Sequence, residues 1–486
     1  MFRRPSQRKQ LIQRIVVSII AMLFIVAGVI VTVLFILGYR LDSDSGRLEQ
    51  GALLQFESVP GGAGVFVDGN YTGSQTTTKR TVIAGTHTFM VQRQGYEDWV
   101  KTLDVQAGTL TWLDYIRLVP KDRSVKDVAS FASLSGAKAS PDRQTFIVQE
   151  KSSEPAFTVV NLSEENVRTS KVIIPQDVYS DDAVVGASHE FRLHEWDQSG
   201  QFVIVTHHID NQVQWLVVDT QNVSASRNVT RLLGVQLSDA VFMGTGGRTL
   251  YGLTQDGLIR RLDLDEAVIS RPLVSRVDQV SLNNETKVIS YVGTDPHDAE
   301  LKVAGVYRDG DDEGYVIRST KTDEALSIST VRQHSDDYVA VSQGNVLSIL
   351  KGTYPSSSDG TVTSYAPYAT VSTTAPISTV SFSKTGSYLV ARAGTELVGY
   401  DMLQKRSTVA TLLDSERTFQ WLDDAHLWTD TAASLTMRDF DGTNRYEIMS
   451  VAEGFDATLS RSGRYMYSIG ERDNSYVLQR VKMILD

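Results

Sequence analysis

The sequence predicts an all-β ectodomain, a small β-sandwich followed by a seven- or eight-bladed β-propeller, behind one N-terminal transmembrane helix. Three observations predict it. A run of 23 residues without a charge, Ile15 to Leu37, follows a basic N-terminus. Residues 51 to 120 break into short β-like runs at glycine turns. From residue 121 to 486 one phrase recurs: an apolar strand, a polar turn rich in Asp, Ser and Gly, and a second apolar strand. The expected division is a cytoplasmic tail at 1–14, a transmembrane helix at 15–38, a linker at 39–50, a sandwich at 51–120 and a propeller at 121–486.

Arg3, Arg4, Arg8, Lys9 and Arg14 precede the apolar run, in which Ser18 and Thr32 are the clearly polar members. A helix needs about 20 such residues to cross the hydrocarbon core. A basic flank stays in the cytoplasm, so the chain after Tyr39 is expected on the far side as a single-pass, extracytoplasmic bulk. A cleaved signal peptide has an apolar region of about 7–15 residues ending in small residues. This run is longer, and Gly38-Tyr39-Arg40-Leu41 is not an Ala-x-Ala site. An uncleaved anchor is therefore expected, and the membrane is the first implied partner.

The formal net charge is −11, and six basic residues through Arg40 precede the first acid, which leaves about −17 from Leu41 onward. An acidic bulk argues against a nucleic-acid partner, because phosphate neutralisation needs clustered Lys and Arg. There is no cysteine, which excludes disulfides, thiolate catalysis and Cys-ligated zinc.

In the sandwich segment, Leu53-Leu54-Gln55-Phe56 leads to Pro60-Gly61-Gly62-Ala63, and Val65-Phe66-Val67 enters Asp68-Gly69. That dipeptide suits a tight hairpin. Thr81-Val82-Ile83, Thr86 to Val91, Trp99 to Val105 and Leu110 to Leu118 read as further strands. With Gly73, Gly85-Thr86-His87 and Gly95-Tyr96 in this order and spacing, the segment resembles the PEGA domain. That family is named for a Pro-Glu-Gly-Ala motif and occurs on surface-layer and envelope proteins. Gly61 stands where the family has Glu, and Ser74-Gln75-Thr76 where it usually has Thr-Pro. The resemblance implies anchoring or interaction and no enzymatic role. Tyr96 and Trp99 read as core or edge aromatics, and His87 as a strand residue.

The recurring phrase stands at Ser140-Pro141-Asp142-Arg143, Asp197-Gln198-Ser199-Gly200, Ser383-Lys384-Thr385-Gly386 and Ser460-Arg461-Ser462-Gly463. Weaker copies begin at Thr245, Asn283, Ser335 and Leu422. Eight units at roughly 38 to 57 residues match the period of propeller blades. A third strand follows each turn, as in Trp215 to Asp219 or Leu397 to Asp401, and then a variable tail. Units of three or four strands bury both faces only by stacking, and radial stacking protects their edges. The units resemble TolB-type propeller repeats, whose core phrase is Ser-Pro-Asp-Gly before a strand. Closure is expected to mix N-terminal and C-terminal strands.

Motifs for catalysis are few. No Gly-x-Ser-x-Gly elbow occurs. His189 and His194 are five apart, which fails the zinc-helix spacing and splits them across a strand. His207-His208 splits likewise, with one ring packed and the other toward solvent. Asp309-Gly310-Asp311-Asp312-Glu313-Gly314 resembles the start of a calcium loop, with Asp309, Asp311 and Glu313 as candidate ligands. Thr320 occupies the place of the bidentate acid, so an acidic hairpin tip is the plainer reading. Glu195, Asp197, Asp239 and Asp278 are expected near the innermost strands. The longer tails, Glu164 to Ala187, Asp295 to Thr330 and Lys351 to Ala375, are expected to form a loop-rich face. These readings favour non-catalytic binding of an envelope protein or polysaccharide, with calcium as the one candidate cofactor. A glycan-cleaving enzyme using channel carboxylates is the alternative.

Overall fold

The computed structural model of the chain describes residues 7–36, 39–41, 48–162, 167–179, 188–321, 323–354, 365–412 and 419–485. Gln7–Ile36 forms one α-helix. Its stretch Arg14–Leu34 is 21 residues long and unburied, long and apolar enough to cross a membrane, a property that spans share with signal sequences. Thr32 is accommodated in this apolar run because its hydroxyl donates to the Gly28 carbonyl at 2.7 Å. The chain divides into two compact units, Met1–Lys121 and Asp122–Asp486.

In the first unit two four-stranded sheets form the sandwich. Leu48–Val59 is the spine of one. It pairs antiparallel with Tyr39–Leu41 and Thr78–Ile83, and parallel with Leu110–Arg117. The segment read as a linker thus begins with a strand pair, and residues 42–47 lie outside the described residues. The other sheet runs Asn70–Gln75, Gly64–Val67, Gly85–Gln92, Trp99–Val105. Leu54, Phe56, Val65, Phe89, Val91 and Trp99 are all fully buried between the sheets. Tyr96, at 1% exposure, joins them, as its sequence context predicts. Asp68 and Gly69 both take positive φ, 49° and 79°, joining Val67 to Asn70 in a two-residue turn whose twist suits a hairpin. The Asp68 carboxylate then accepts the Thr88 N–H at 2.9 Å and the His87 Nδ1 at 2.6 Å. The His87 bond, and then the backbone bond, hold its carboxyl below the usual range.

The second unit is a propeller of eight four-stranded blades among the described residues. The first blade is Gly136–Ala139, Thr145–Gln149, Ala156–Asn161 and Arg168–Ile173. The eighth takes Thr458–Leu459, Tyr465–Arg472 and Ser475–Lys482 from the C-terminus and completes itself with Val125–Phe131. The ring is therefore closed by hydrogen bonds between the two ends of the unit, as expected. Neighbouring blades share apolar layers. Ile147 and Phe157 of the first pack with Phe191, Val203 and Val205 of the second, and Phe146 and Val148 pack with Tyr467, Ile469 and Leu478 of the eighth. Each such side chain contributes about 1.5–3 kcal/mol by leaving water.

The recurring phrase is a turn with one construction. Ser140 Oγ, Asp197 Oδ1, Ser383 Oγ and Ser460 Oγ each accept the backbone N–H five residues on, at 3.0, 3.0, 3.2 and 3.1 Å. The fourth residue is left-handed every time: Arg143 at φ 60°, Gly200 at 70°, Gly386 at 76° and Gly463 at 70°. Glycine adopts this conformation without strain, whereas Arg143 does not. Arg143→Gly is therefore expected to raise propeller stability by about 0.5–1 kcal/mol, read by urea unfolding. An unchanged or lowered midpoint would refute the strain argument.

The tails expected as loops contain blade strands instead. Arg168–Ile173, Tyr315–Lys321 and Ala366–Ser372 are the outermost strands of the first, fourth and fifth blades. Their solvent-facing composition hides the apolar alternation: Val172 is the one buried residue of Arg168–Ile173. Residues 163–166, 180–187, 322 and 355–364 of those tails lie outside the described residues.

Candidate binding channel

The first strands of successive blades touch one another from the first blade to the sixth, so they line the propeller axis. Four of them carry a β-bulge: Leu237/Asp239, Val277/Gln279 and Ile377/Thr379 at the start of the strand, and Leu193/Glu195 toward its end. A bulge re-aims side chains and recurs next to functional sites. Here the bulge sets Glu195 and Asp239 on the inner strands, where the sequence places them. Asp278 is there too, and exposed. Asp197 is not a channel group; it is wholly buried in its turn.

The lining falls into two arcs. The eighth, first, second and third blades bring Asp456, Lys138, Glu195 and Asp239 to the inner face. Asp239 is tied to His194, Oδ1 to Nε2 at 3.1 Å, and Asp456 accepts the Ala139 N–H at 3.2 Å. Burial pushes the Glu195 carboxyl up to about 7; Asp239 adds to the rise, while His194 and Lys138 oppose it. Burial likewise raises Asp456 against the pull of Lys138. Lys138, Glu190, Arg192 and Asp456, two bases and two acids, line a cavity of about 370 Å³.

The other arc is mostly neutral, apart from Asp278. Ser281, Ser290, Ser329, Thr330, Ser381 and Ser383 line a cavity of about 320 Å³ beside the recurring turns, with Glu285 its one acid and Lys384 its one base. Several hydroxyls also hold the frame: Ser329 Oγ accepts the Phe382 N–H at 3.2 Å, and Ser381 Oγ accepts Trp421 Nε1 at 3.0 Å.

The candidate calcium residues lie elsewhere, in the hairpin between Leu301–Arg308 and Tyr315–Lys321. The Asp309 carboxylate accepts the Tyr251 hydroxyl and stands 3.7 Å from Arg261. Asp311 accepts Tyr307 through its backbone carbonyl at 3.1 Å, and Glu313 is exposed. The hydroxyl of Thr320 donates to Glu324. Among the described residues no group of three or more His, Asp or Glu is arranged to hold a metal.

Sequence reasoning passed over Lys138, Asp456 and a histidine pair. His189 Nδ1 lies 2.9 Å from His207 Nε2, and the His207 ring stacks on Phe191 at 4.3 Å. His207 is fully buried and His208 half-buried, the split that their positions predict. Burial pushes His207 down to about 4.

A family model for the PEGA domain matches residues 52–121. That segment is a PEGA domain. No curated protein matches the chain in sequence. Among solved structures, the chain is similar to the Myceliophteria thermophila Cps50 (Swd1) beta-propeller domain, at 11% identity and a TM-score of 0.40, covering 74% of this chain and 99% of that one. It is similar also to the Dos1 propeller, at 10% identity and a TM-score of 0.44, covering 74% and 96%. The chain thus joins a PEGA domain to a propeller.

Proposed function

We propose that the chain is a membrane-anchored, extracytoplasmic PEGA-domain protein that binds or scaffolds an envelope glycan or protein through its propeller, without catalysis. The observation that carries this reading is the hydroxyl-lined cavity of about 320 Å³ at the channel. Neutral hydroxyls suit a polyhydroxyl ligand or a peptide backbone, and a single acid there lacks the second carboxylate that glycoside cleavage uses. The apolar helix and the basic residues before it support the anchor and its orientation. The PEGA domain adds an interaction module beside the helix in sequence.

Glu195 favours the second reading, a glycan-cleaving enzyme. A carboxyl raised to about 7 in a channel has the protonation state of a general acid. Full-length protein in detergent, passed over immobilised envelope glycans and envelope extract, separates the two. Retention without released product supports binding. Release that Glu195→Gln abolishes would overturn it, and neither retention nor release would overturn both.

A further inference from the structure

Ser434, Thr436 and Arg438 alternate along the third strand of the seventh blade, Ser434–Asp439, so their side chains share one face. Thr436 is 2% exposed and Arg438 5%. Ser434 Oγ, Thr436 Oγ1 and Arg438 Nε are closed to solvent and have no hydrogen-bond partner. The guanidinium lies over the Phe419 ring, Cζ 4.7 Å from its centroid. The charge that acts on it is that of another cation, Arg445. Glu447, which pairs with Thr436 in register, makes no ion pair with it among the described residues.

Most buried polar atoms in folded proteins are satisfied, and a buried cation without a counter-ion is strongly unfavourable. Here three donors in a row lack acceptors, and two arginines lie near each other. We propose that this face is an oxyanion-binding site, in which Arg438 holds a phosphate or carboxylate group and the Thr436 and Ser434 hydroxyls donate to it or to its neighbouring oxygens. Stacking on Phe419 occupies a face of the guanidinium and leaves the N–H edge that grips two oxygens. At the two sides of the row Ser434 is half-buried and Arg445, beyond the end of the strand, is exposed. The site stands apart from the channel and does not depend on the function proposed for it.

The test is the unfolding temperature of the full chain in detergent, titrated with inorganic phosphate or with acetate at matched ionic strength against chloride. A saturable rise of about 2–4 °C is expected in one of the two, and which one responds identifies the group. Arg438→Met should abolish the rise and unfold higher than wild type in chloride alone, because it removes the uncompensated charge. Thr436→Val, close in shape, should weaken the response at least threefold, and it keeps the test open if Arg438→Met does not fold. An equal rise in wild type and both variants would overturn the site, as would no rise at all.

Discussion

Asp197→Ala should be among the most destabilising single changes in the propeller, costing about 3–4 kcal/mol. Its carboxylate is wholly buried. It accepts Ser199 Oγ at 2.6 Å, Gln201 N–H at 3.1 Å and Phe202 N–H at 3.0 Å within its own turn. It also accepts Gly246 N–H at 3.1 Å from the turn of the next blade. Truncation strands these donors away from water, at about 1–3 kcal/mol for a buried group left unpaired. Some of that cost is recovered if water enters. Asp197→Asn retains one acceptor oxygen and presents an N–H₂ to donors, so it should cost about half as much. Ser460→Ala removes the equivalent acceptor for a single N–H, at about 1 kcal/mol. Urea unfolding followed by tryptophan fluorescence gives the ranking, since Trp196 and Trp215 are buried in the same blade. An Asp197→Ala loss no larger than that of Ser460→Ala would show that the link between blades carries no weight.

The ranking also explains which blades were legible in the sequence. Four turns keep an oxygen-bearing first residue and a left-handed fourth, so they repeat as text. The others reach the same end by different means. Asp423 accepts Ala425 and His426 N–H at 3.0 and 2.9 Å, while the fifth blade closes Gln333 to Asp336 through two residues. The second and third strands are apolar because both faces are covered by neighbouring blades, and they stand out. The fourth strands face solvent and read as tails.

The channel was half legible for a related reason. Glu195 and Asp239 lie in long inner strands with a clear apolar pattern. Lys138 sits in the four-residue Gly136–Ala139 and Asp456 just before the two-residue Thr458–Leu459, too short for any period to register. The His189–His207 contact depends on strand register, Phe191 opposite His207, and on the bulge beyond it, which spacing along the chain does not encode. In the PEGA domain the glycine turns and buried aromatics were legible because each acts locally.

Two groups of the second blade, the buried His207 and the half-buried Glu195, should oppose each other in their response to pH. His207 is held at about 4, below its ordinary value near 6.5. The unfolded chain therefore binds the proton more readily between those values. The stability that His207 contributes is complete above pH 6.5 and is lost as pH falls toward 4, by about 2–3 kcal/mol. Glu195 is held at about 7, above its ordinary value near 4.5. Its folded form binds the proton more readily, so it costs nothing below pH 4.5 and destabilises increasingly as pH rises through 7, again by about 2–3 kcal/mol. Between pH 4.5 and 6.5 the two slopes have opposite signs, and their joint contribution to the wild-type profile should be nearly flat. Glu195→Gln removes one of them. The variant should exceed wild type by about 2–3 kcal/mol at pH 8, converge with it near pH 4.5, and show the acid loss of His207 uncovered in between. Denaturant midpoints at pH 4.5, 5.5, 6.5 and 8 would measure this. Profiles that run parallel for the two proteins would mean that the Glu195 carboxyl titrates alike in the folded and unfolded chain, and with it would go the case for Glu195 as a protonated acid in the channel.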